Sequence, residues 1–239
     1  MIVSGGRLRD ALVEALYPAH CELCLAPAPP GAALCGPCLE DLQRVVHPCR
    51  CCASPLPVSG QCPACARRPP VLDRVYAPWA YAWPLDRLVL GCKHAGDARS
   101  ERVLVTLARV AAAEQLTAGE HPDVVVPVPL HPVRLRQRGF NQAQPLARAV
   151  ADILGVPAAP WLARRIRATE SQQGLGAQAR RRNVRDAFAV DVSVFPDLEG
   201  ARVLLVDDVV TTGATLNALA ATLRAAGARG VDALALARA

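Results

Sequence analysis

The stretch Val203-Leu204-Leu205-Val206-Asp207-Asp208-Val209-Val210-Thr211-Thr212-Gly213-Ala214-Thr215 constrains this chain more than any other. Four consecutive aliphatics read as a strand buried on both faces, which suits a parallel sheet covered by helices. Two acids end that run. Adjacent carboxylates repel one another unless a ligand uses their charge, and vicinal hydroxyls or a magnesium-bound group would do so. Thr211-Thr212-Gly213-Ala214-Thr215 then opens a helix that the pattern carries to about residue 226, with Gly227 as its stop. Small hydroxyl residues and a glycine let the free amides of a helix N-terminus close on a phosphate, which the helix dipole also favours. Acids for hydroxyls followed by amides for phosphate describe a ribose 5-phosphate site. A Walker-type loop is disfavoured, because no Gly-Lys-Ser/Thr triplet occurs.

The second constraint is a run of cysteines. Cys21-x2-Cys24, Cys35-x2-Cys38, Cys49-x2-Cys52 and Cys62-x2-Cys65 are separated by ten, ten and nine residues, a near-repeat of fourteen. Eight paired thiolates suit two structural zinc ions held by four sulfurs each, leaving no open position for water. Two pairings share these spacings. The sequential one puts Cys21, Cys24, Cys35 and Cys38 on one ion and Cys49, Cys52, Cys62 and Cys65 on the other; the interleaved one cross-braces the pairs. Cys51 and His20 stand beside the knuckles but outside the pattern. Iron–sulfur ligation is open to thiols alone, but the regular paired knuckles look more like zinc ribbons. A disulfide framework is disfavoured, since no secretory signal opens the sequence and a phosphate-binding domain points to the reducing cytoplasm.

A chain of 239 residues has room for one α/β domain and one small accessory module. The expected division is a Cys-rich module over 1–70, with a helix over 8–17, and an α/β domain over 71–239. No apolar run approaches the ~20 residues of a bilayer span, so no membrane insertion is expected. The formal charge is +6, and it is unevenly spread. Residues 131–188 hold eleven arginines against Asp152, Glu170 and Asp186, a local net of +8 that favours an anionic ligand or nucleic acid. Lys93 is the single lysine among 27 basic residues, which hints that a compact ammonium is wanted there.

Between these landmarks the pattern predicts extended chain over 71–82, a short helix over 85–92 that delivers Lys93, and a long alanine-rich helix over 99–115. A second buried-type strand starts at Asp123, and Pro127 and Pro129 mark its end. The segment 131–142, with Arg134, Arg136 and Arg138 alternating before Gly-Phe-Asn-Gln, reads as a basic loop reaching for an anion and leading into a helix to about 154. A strand is expected over 161–166. Residues 167–183 are polar, contain two glycines and exceed the usual connection length, which predicts a mobile lid. With a third buried strand over 231–236, the fold class is a parallel α/β sheet binding ligands at its strand C-terminal ends.

The acid pair followed by Thr-Thr-Gly-x-Thr resembles the phosphoribosyl-pyrophosphate (PRPP) motif of type I phosphoribosyltransferases. Taken with the Cys-rich module, Lys93-x2-Gly96-Asp97, Pro127-Val128-Pro129-Leu130 and Arg138-Gly139-Phe140-Asn141-Gln142, the whole resembles the ComF family of competence-associated, phosphoribosyltransferase-like proteins. Departures are small: Cys92 stands where the family usually has Leu, and Gln137 interrupts a paired arginine. The resemblance implies transfer of ribose 5-phosphate from PRPP, with magnesium, to an unidentified acceptor. It puts Asp207, Asp208, Lys93, Arg138 and Arg182 in catalytic roles. PRPP contacts are expected from residues 207–215, meaning Asp207, Asp208, Val209, Val210, Thr211, Thr212, Gly213, Ala214 and Thr215, and from Lys93, Arg136, Arg138, Arg180 and Arg182. Thr169, Gln172 and Asn183 are similar to the family's polar lid positions. The alternative is a PRPP-responsive DNA-handling protein that binds single-stranded DNA and works with the DNA-uptake machinery, although nine aromatic residues offer few stacking platforms.

Overall fold

The computed structural model describes residues 19–116, 121–167 and 187–239. The helix expected over 8–17 and the positions Thr169, Gln172, Arg180, Arg182 and Asn183 lie outside them. In chain order the helices are α1 (Gly36–Glu40), α2 (Pro63–Arg67), α3 (Leu85–Ala95), α4 (Ala98–Gln115), α5 (Pro132–Arg138), α6 (Ala143–Leu154) and α7 (Ala214–Ala225). The strands are β1 (Val75–Tyr76), β2 (Trp79–Ala80), β3 (Val124–Pro127), β4 (Ala163–Arg165), β5 (Phe188–Val190), β6 (Arg202–Val210) and β7 (Gly230–Arg238).

Strand β6 pairs with β3 and β7 in a parallel sheet of order β1-β7-β6-β3, with β2 also pairing parallel to β7. Its aliphatic run explains this central place. Leu204 and Val206 pack with Leu104, Leu107, Leu146 and Val150 of α4 and α6. Val203 and Leu205 join Leu216, Leu219 and Leu223 of α7. A period of two thus divides one run between two cores, as a strand covered on both sides requires.

Local chemistry sets the helix ends. The Asp97 carboxylate accepts from the amides of Arg99 and Ser100 at 3.1 and 3.2 Å and so caps α4. Gly96, at φ 58°, ends α3 in a left-handed conformation. Helix α3 runs past the expected end at 92, so Lys93 lies on the helix itself. The segment expected as a basic loop is also helical in part. His131 Nδ1 accepts from the Val133 amide at 3.2 Å, Pro132 suits the first turn, and Gly139 closes α5. The strand expected over 161–166 is the short β4, which pairs antiparallel with β5 in a separate two-stranded sheet.

The Cys-rich segment is a structural repeat. The Cys21 amide donates to Ala26 O at 2.8 Å and the Leu25 amide to Cys21 O at 2.9 Å. Cys49 and Ala53 repeat the turn with bonds to Ser54 O at 2.7 Å and Cys49 O at 2.8 Å. Leu25 and Ala53 share a positive φ, 63° and 57°.

The first repeat shares the main core, burying Ala33, Leu34 and Leu42 beside Leu104, Leu107 and Trp79. The Ala33 amide donates to Thr106 Oγ1 at 3.0 Å. Arg44 lies 4.9 Å over the Trp79 ring and pairs with Glu114 at 2.7 Å. Docking therefore uses α4 as well as the 76–81 segment. Since Trp79 is fully buried at this junction, Trp79→Ala should lower stability by about 3–5 kcal/mol in denaturant melts.

Candidate functional site

At the C-terminal ends of β3 and β6 the sheet opens into a cleft of about 1120 Å³. Asp207, Asp208, Val209, Val210, Thr211, Gly213, Ala214 and Thr215 line it from one side, and Lys93, Arg134, Arg138, Gln142 and Arg165 are among the residues that line it from others. The strand that supplies the core also fixes the two acids. Following the period of two, Asp208 continues the row of Leu204 and Val206 towards α3 and α6, while Asp207 continues that of Val203 and Leu205.

Their partners differ accordingly. Asp208 Oδ2 lies 2.8 Å from Lys93 Nζ, and the Asp208 side chain is only 4% exposed. Gln142 Nε2 donates to the same oxygen at 3.3 Å, and Arg138 Nη1 donates to Gln142 Oε1. Asn141 fixes that start of α6, donating to Val128 O at 3.0 Å and accepting from the Ala143 amide at 3.1 Å. Asp207 Oδ1 accepts from the Asp208 amide at 2.9 Å. Loss of solvation, and then the neighbouring Asp208 charge, push the Asp207 carboxyl up to about 7, against an opposing pull from Lys93.

Beyond the acids, Thr211 and Thr212 are exposed and Gly213 takes φ 69° at the start of α7. That conformation favours glycine. Thr212 Oγ1 accepts from the Ala214 amide at 3.4 Å, and Asn217 Nδ2 donates to Gly213 O at 3.0 Å. The result is a helix N-terminus open to the cleft, suited to an anion.

Lys93, Arg138 and the 207–215 motif thus come together, with Thr212 the one motif residue outside the cleft lining. Arg136 does not: α5 leaves it exposed and outside the cleft lining, whereas Arg134 and Arg138, one turn apart, both line it. Arg180 and Arg182 lie outside the described residues. Gln142 and Arg165 were not singled out by residue type. Alternation in β4 faces one of Arg164 and Arg165 inward; Arg165 is the buried one, 5.7 Å from the Phe188 ring centroid.

The cysteines resolve their pairing. Cys21, Cys24, Cys35 and Cys38 bring their sulfurs within 4.8 Å of one another, as do Cys49, Cys52, Cys62 and Cys65. The sequential arrangement holds. Sulfur separations of 3.6 Å for Cys24 and Cys35 and 3.8 Å for Cys52 and Cys62 fit the ~3.8 Å edge of a zinc tetrathiolate.

Comparison with known proteins defines the class. Residues 99–239 match the phosphoribosyl transferase domain, and residues 12–66 match the double zinc ribbon domain. Competence protein F of Haemophilus influenzae is 33% identical over 86% of this chain and 90% of its own. The DNA utilization protein YhgH of Salmonella typhimurium is 34% identical over 92% of this chain and 97% of its own; the Escherichia coli protein of that name is 32% identical over the same shares. The chain belongs to the ComF family, which joins a double zinc ribbon to a phosphoribosyltransferase-like domain. No helix among the described residues is long and apolar enough to cross a membrane.

The raised Asp207 pKa has a testable sign. Its unfolded value is roughly 4, so holding the ionised form in the fold lowers stability progressively as pH rises from about 4 to about 7. Asp207→Asn should therefore raise the melting temperature at pH 8 and change it little near pH 4. An equal melting temperature at pH 8 would contradict the assigned shift.

Proposed function

We propose that the cleft binds PRPP and that the protein transfers its ribose 5-phosphate to an acceptor, releasing pyrophosphate. One observation supports this most: two acids within the last four residues of the parallel strand β6 lead, through Val209 to Thr212, into a glycine-started helix N-terminus, inside one cleft that also collects Lys93, Arg134, Arg138 and Arg165. The carboxylates would hold the ribose 2′ and 3′ hydroxyls and the 211–215 amides the 5-phosphate. The cations would stabilise charge on the departing pyrophosphate, a larger contribution than any strong protein base in an oxocarbenium-like transition state. Magnesium, arriving with PRPP, would neutralise pyrophosphate oxygens. Arg180 and Arg182 are assigned to the same anion as lid residues, on the resemblance alone.

The expected result is calorimetric binding of PRPP with magnesium to the parent and its loss in the folded Asp207→Asn/Asp208→Asn double variant. Pyrophosphate release from PRPP with a panel of nucleobases tests transfer. Undiminished affinity in the double variant would remove the acids from the site.

A second reading rests on the relatives named for competence and DNA utilization: a PRPP-responsive DNA-handling protein that works in the cytoplasm with the DNA-uptake machinery. Salt separates the two. A single-strand surface loses affinity with a log–log slope of roughly 0.7 per neutralised phosphate, with Arg134, Arg136 and Arg138 contributing similar shares. A pyrophosphate site concentrates the loss at Arg138 and leaves Arg136→Ala close to the parent in PRPP affinity.

The two cysteine clusters are assigned one structural zinc each. Metal analysis should return two zinc ions per chain, and chelation should unfold the ribbons, since four-thiolate sites supply about 10 kcal/mol in small modules. One ion per chain would make one cluster vestigial.

A further inference from the structure

Ser54 and Val71, which flank the second cysteine cluster in sequence, each reach one end of the 211–213 segment through a single side chain. Strand β6 ends at Val210, paired with Arg238 of β7. Beyond it, residues 211–213 leave the sheet, while Val210 O also accepts from the Ala239 amide at 3.0 Å. At the first end, Arg238 Nη1 donates to Val210 O at 3.2 Å while Arg238 Nη2 donates to Ser54 Oγ at 2.7 Å. Ser54 belongs to the knuckle: its hydroxyl lies 3.3 Å from Cys52 Sγ, and its carbonyl accepts from the Cys49 amide at 2.7 Å.

At the second end, the Asn217 amide donates to Gly213 O at 3.0 Å, and its Oδ1 accepts from the Val71 amide at 2.7 Å. Val71 lies shortly after α2, the helix that carries Cys65. The Cys65 and Cys62 amides close the cluster, donating to Cys62 Sγ at 3.4 Å and Cys49 Sγ at 3.3 Å. The first cluster is anchored differently, through Ala33 to Thr106 and Glu22 to Arg102 on α4.

We propose that the second ribbon is a positioning element of the cleft: Ser54–Arg238 and Val71–Asn217 transmit the order of the Cys49, Cys52, Cys62 and Cys65 cluster to the 211–213 loop. Two hydrogen-bonded relays, one at each end of a three-residue segment, restrict a loop that has no sheet partner, and the four cysteines would fix both relay origins when they hold their ion. Arg238 and Asn217 act through the loop backbone; only the ligand arm of the test rests on the PRPP reading.

The experiment has a ligand-free arm and a ligand arm, both on the full chain. Hydrogen exchange of residues 210–215, with no ligand, should quicken in Ser54→Ala, Asn217→Ala and Cys65→Ser, while the β6 and β7 core amides keep their protection. Cys24→Ser, in the first cluster, should leave the loop unchanged. Ser54→Ala and Asn217→Ala keep all eight proposed ligands, so they stand if Cys65→Ser fails to fold. In calorimetry, Ser54→Ala and Asn217→Ala should weaken PRPP with magnesium between about twofold and tenfold, as losing one hydrogen bond implies. Magnesium pyrophosphate, which does not reach the loop, should bind as before. Unchanged loop exchange in both Ser54→Ala and Asn217→Ala overturns the proposal, as does equal quickening throughout the core. Quickened loop exchange in a protein that never binds PRPP upholds the relay and overturns only the ligand reading.

Discussion

Parallel pairing of β6 between β3 and β7, with helices over both faces, is the constraint on which the other features depend. A strand in that position is aliphatic on both sides wherever no partner pairs a polar group, and Val203 to Val206 are so. The next two residues are carboxylates whose side chains inherit opposite faces, and Asp208, only 3% exposed, is held in the covered strand by pairing with Lys93. Core and site are therefore one continuous piece of sequence, and the placement of the acids needs no additional device.

Opposite faces give the acids different environments. Asp208 turns to a helical wall where the ammonium of the single lysine, Lys93, meets it at 2.8 Å and Gln142 adds a donor. An almost fully buried carboxylate requires such partners, because an unpaired charge there is strongly unfavourable. A compact ammonium on a flexible stem suits the approach from α3, which explains why lysine occurs here in an arginine-rich chain. Gln142 in turn accepts from Arg138, so a residue expected to face only ligand also orders the wall behind Asp208.

The parts legible in the sequence were those with long uniform patterns: the aliphatic strands, the alanine-rich α4, the acid pair and the four knuckles. Helix α5 has no helical signature in the sequence because it is short and buries nothing, so no apolar period marks it; only Pro132 and Gly139 signal its ends. The division among its arginines is equally hidden, since alternation in a loop says nothing about sides, whereas one helical turn groups Arg134 with Arg138 and separates Arg136. Arg165 escaped for another reason. One of two adjacent arginines in a three-residue strand has no local signature of burial, and its place by the cleft depends on where β4 and β5 are held relative to the sheet. The cysteine pairing was equally beyond spacing alone, because both arrangements use the same intervals, and the two knuckle turns decide it in three dimensions.

Two acids side by side in one cleft pose an electrostatic problem, which the anionic ligand proposed for it would sharpen. Two ionised carboxylates beside the start of α7 would repel the phosphorylated ligand proposed above. Lys93 offsets Asp208, and the raised pKa of Asp207 leaves it partly protonated near neutrality, so neither acid presents its full charge. Lys93, Arg134, Arg138 and Arg165 line the same cleft as Glu101, Asp207 and Asp208, so four cations face three carboxyl groups there. Hydroxyl donors or a cation placed there, as proposed for PRPP with magnesium, would favour the ionised form of Asp207 and so strengthen both acids as acceptors. The repulsion between the adjacent aspartates is thus kept low by the same geometry that leaves both lining the cleft.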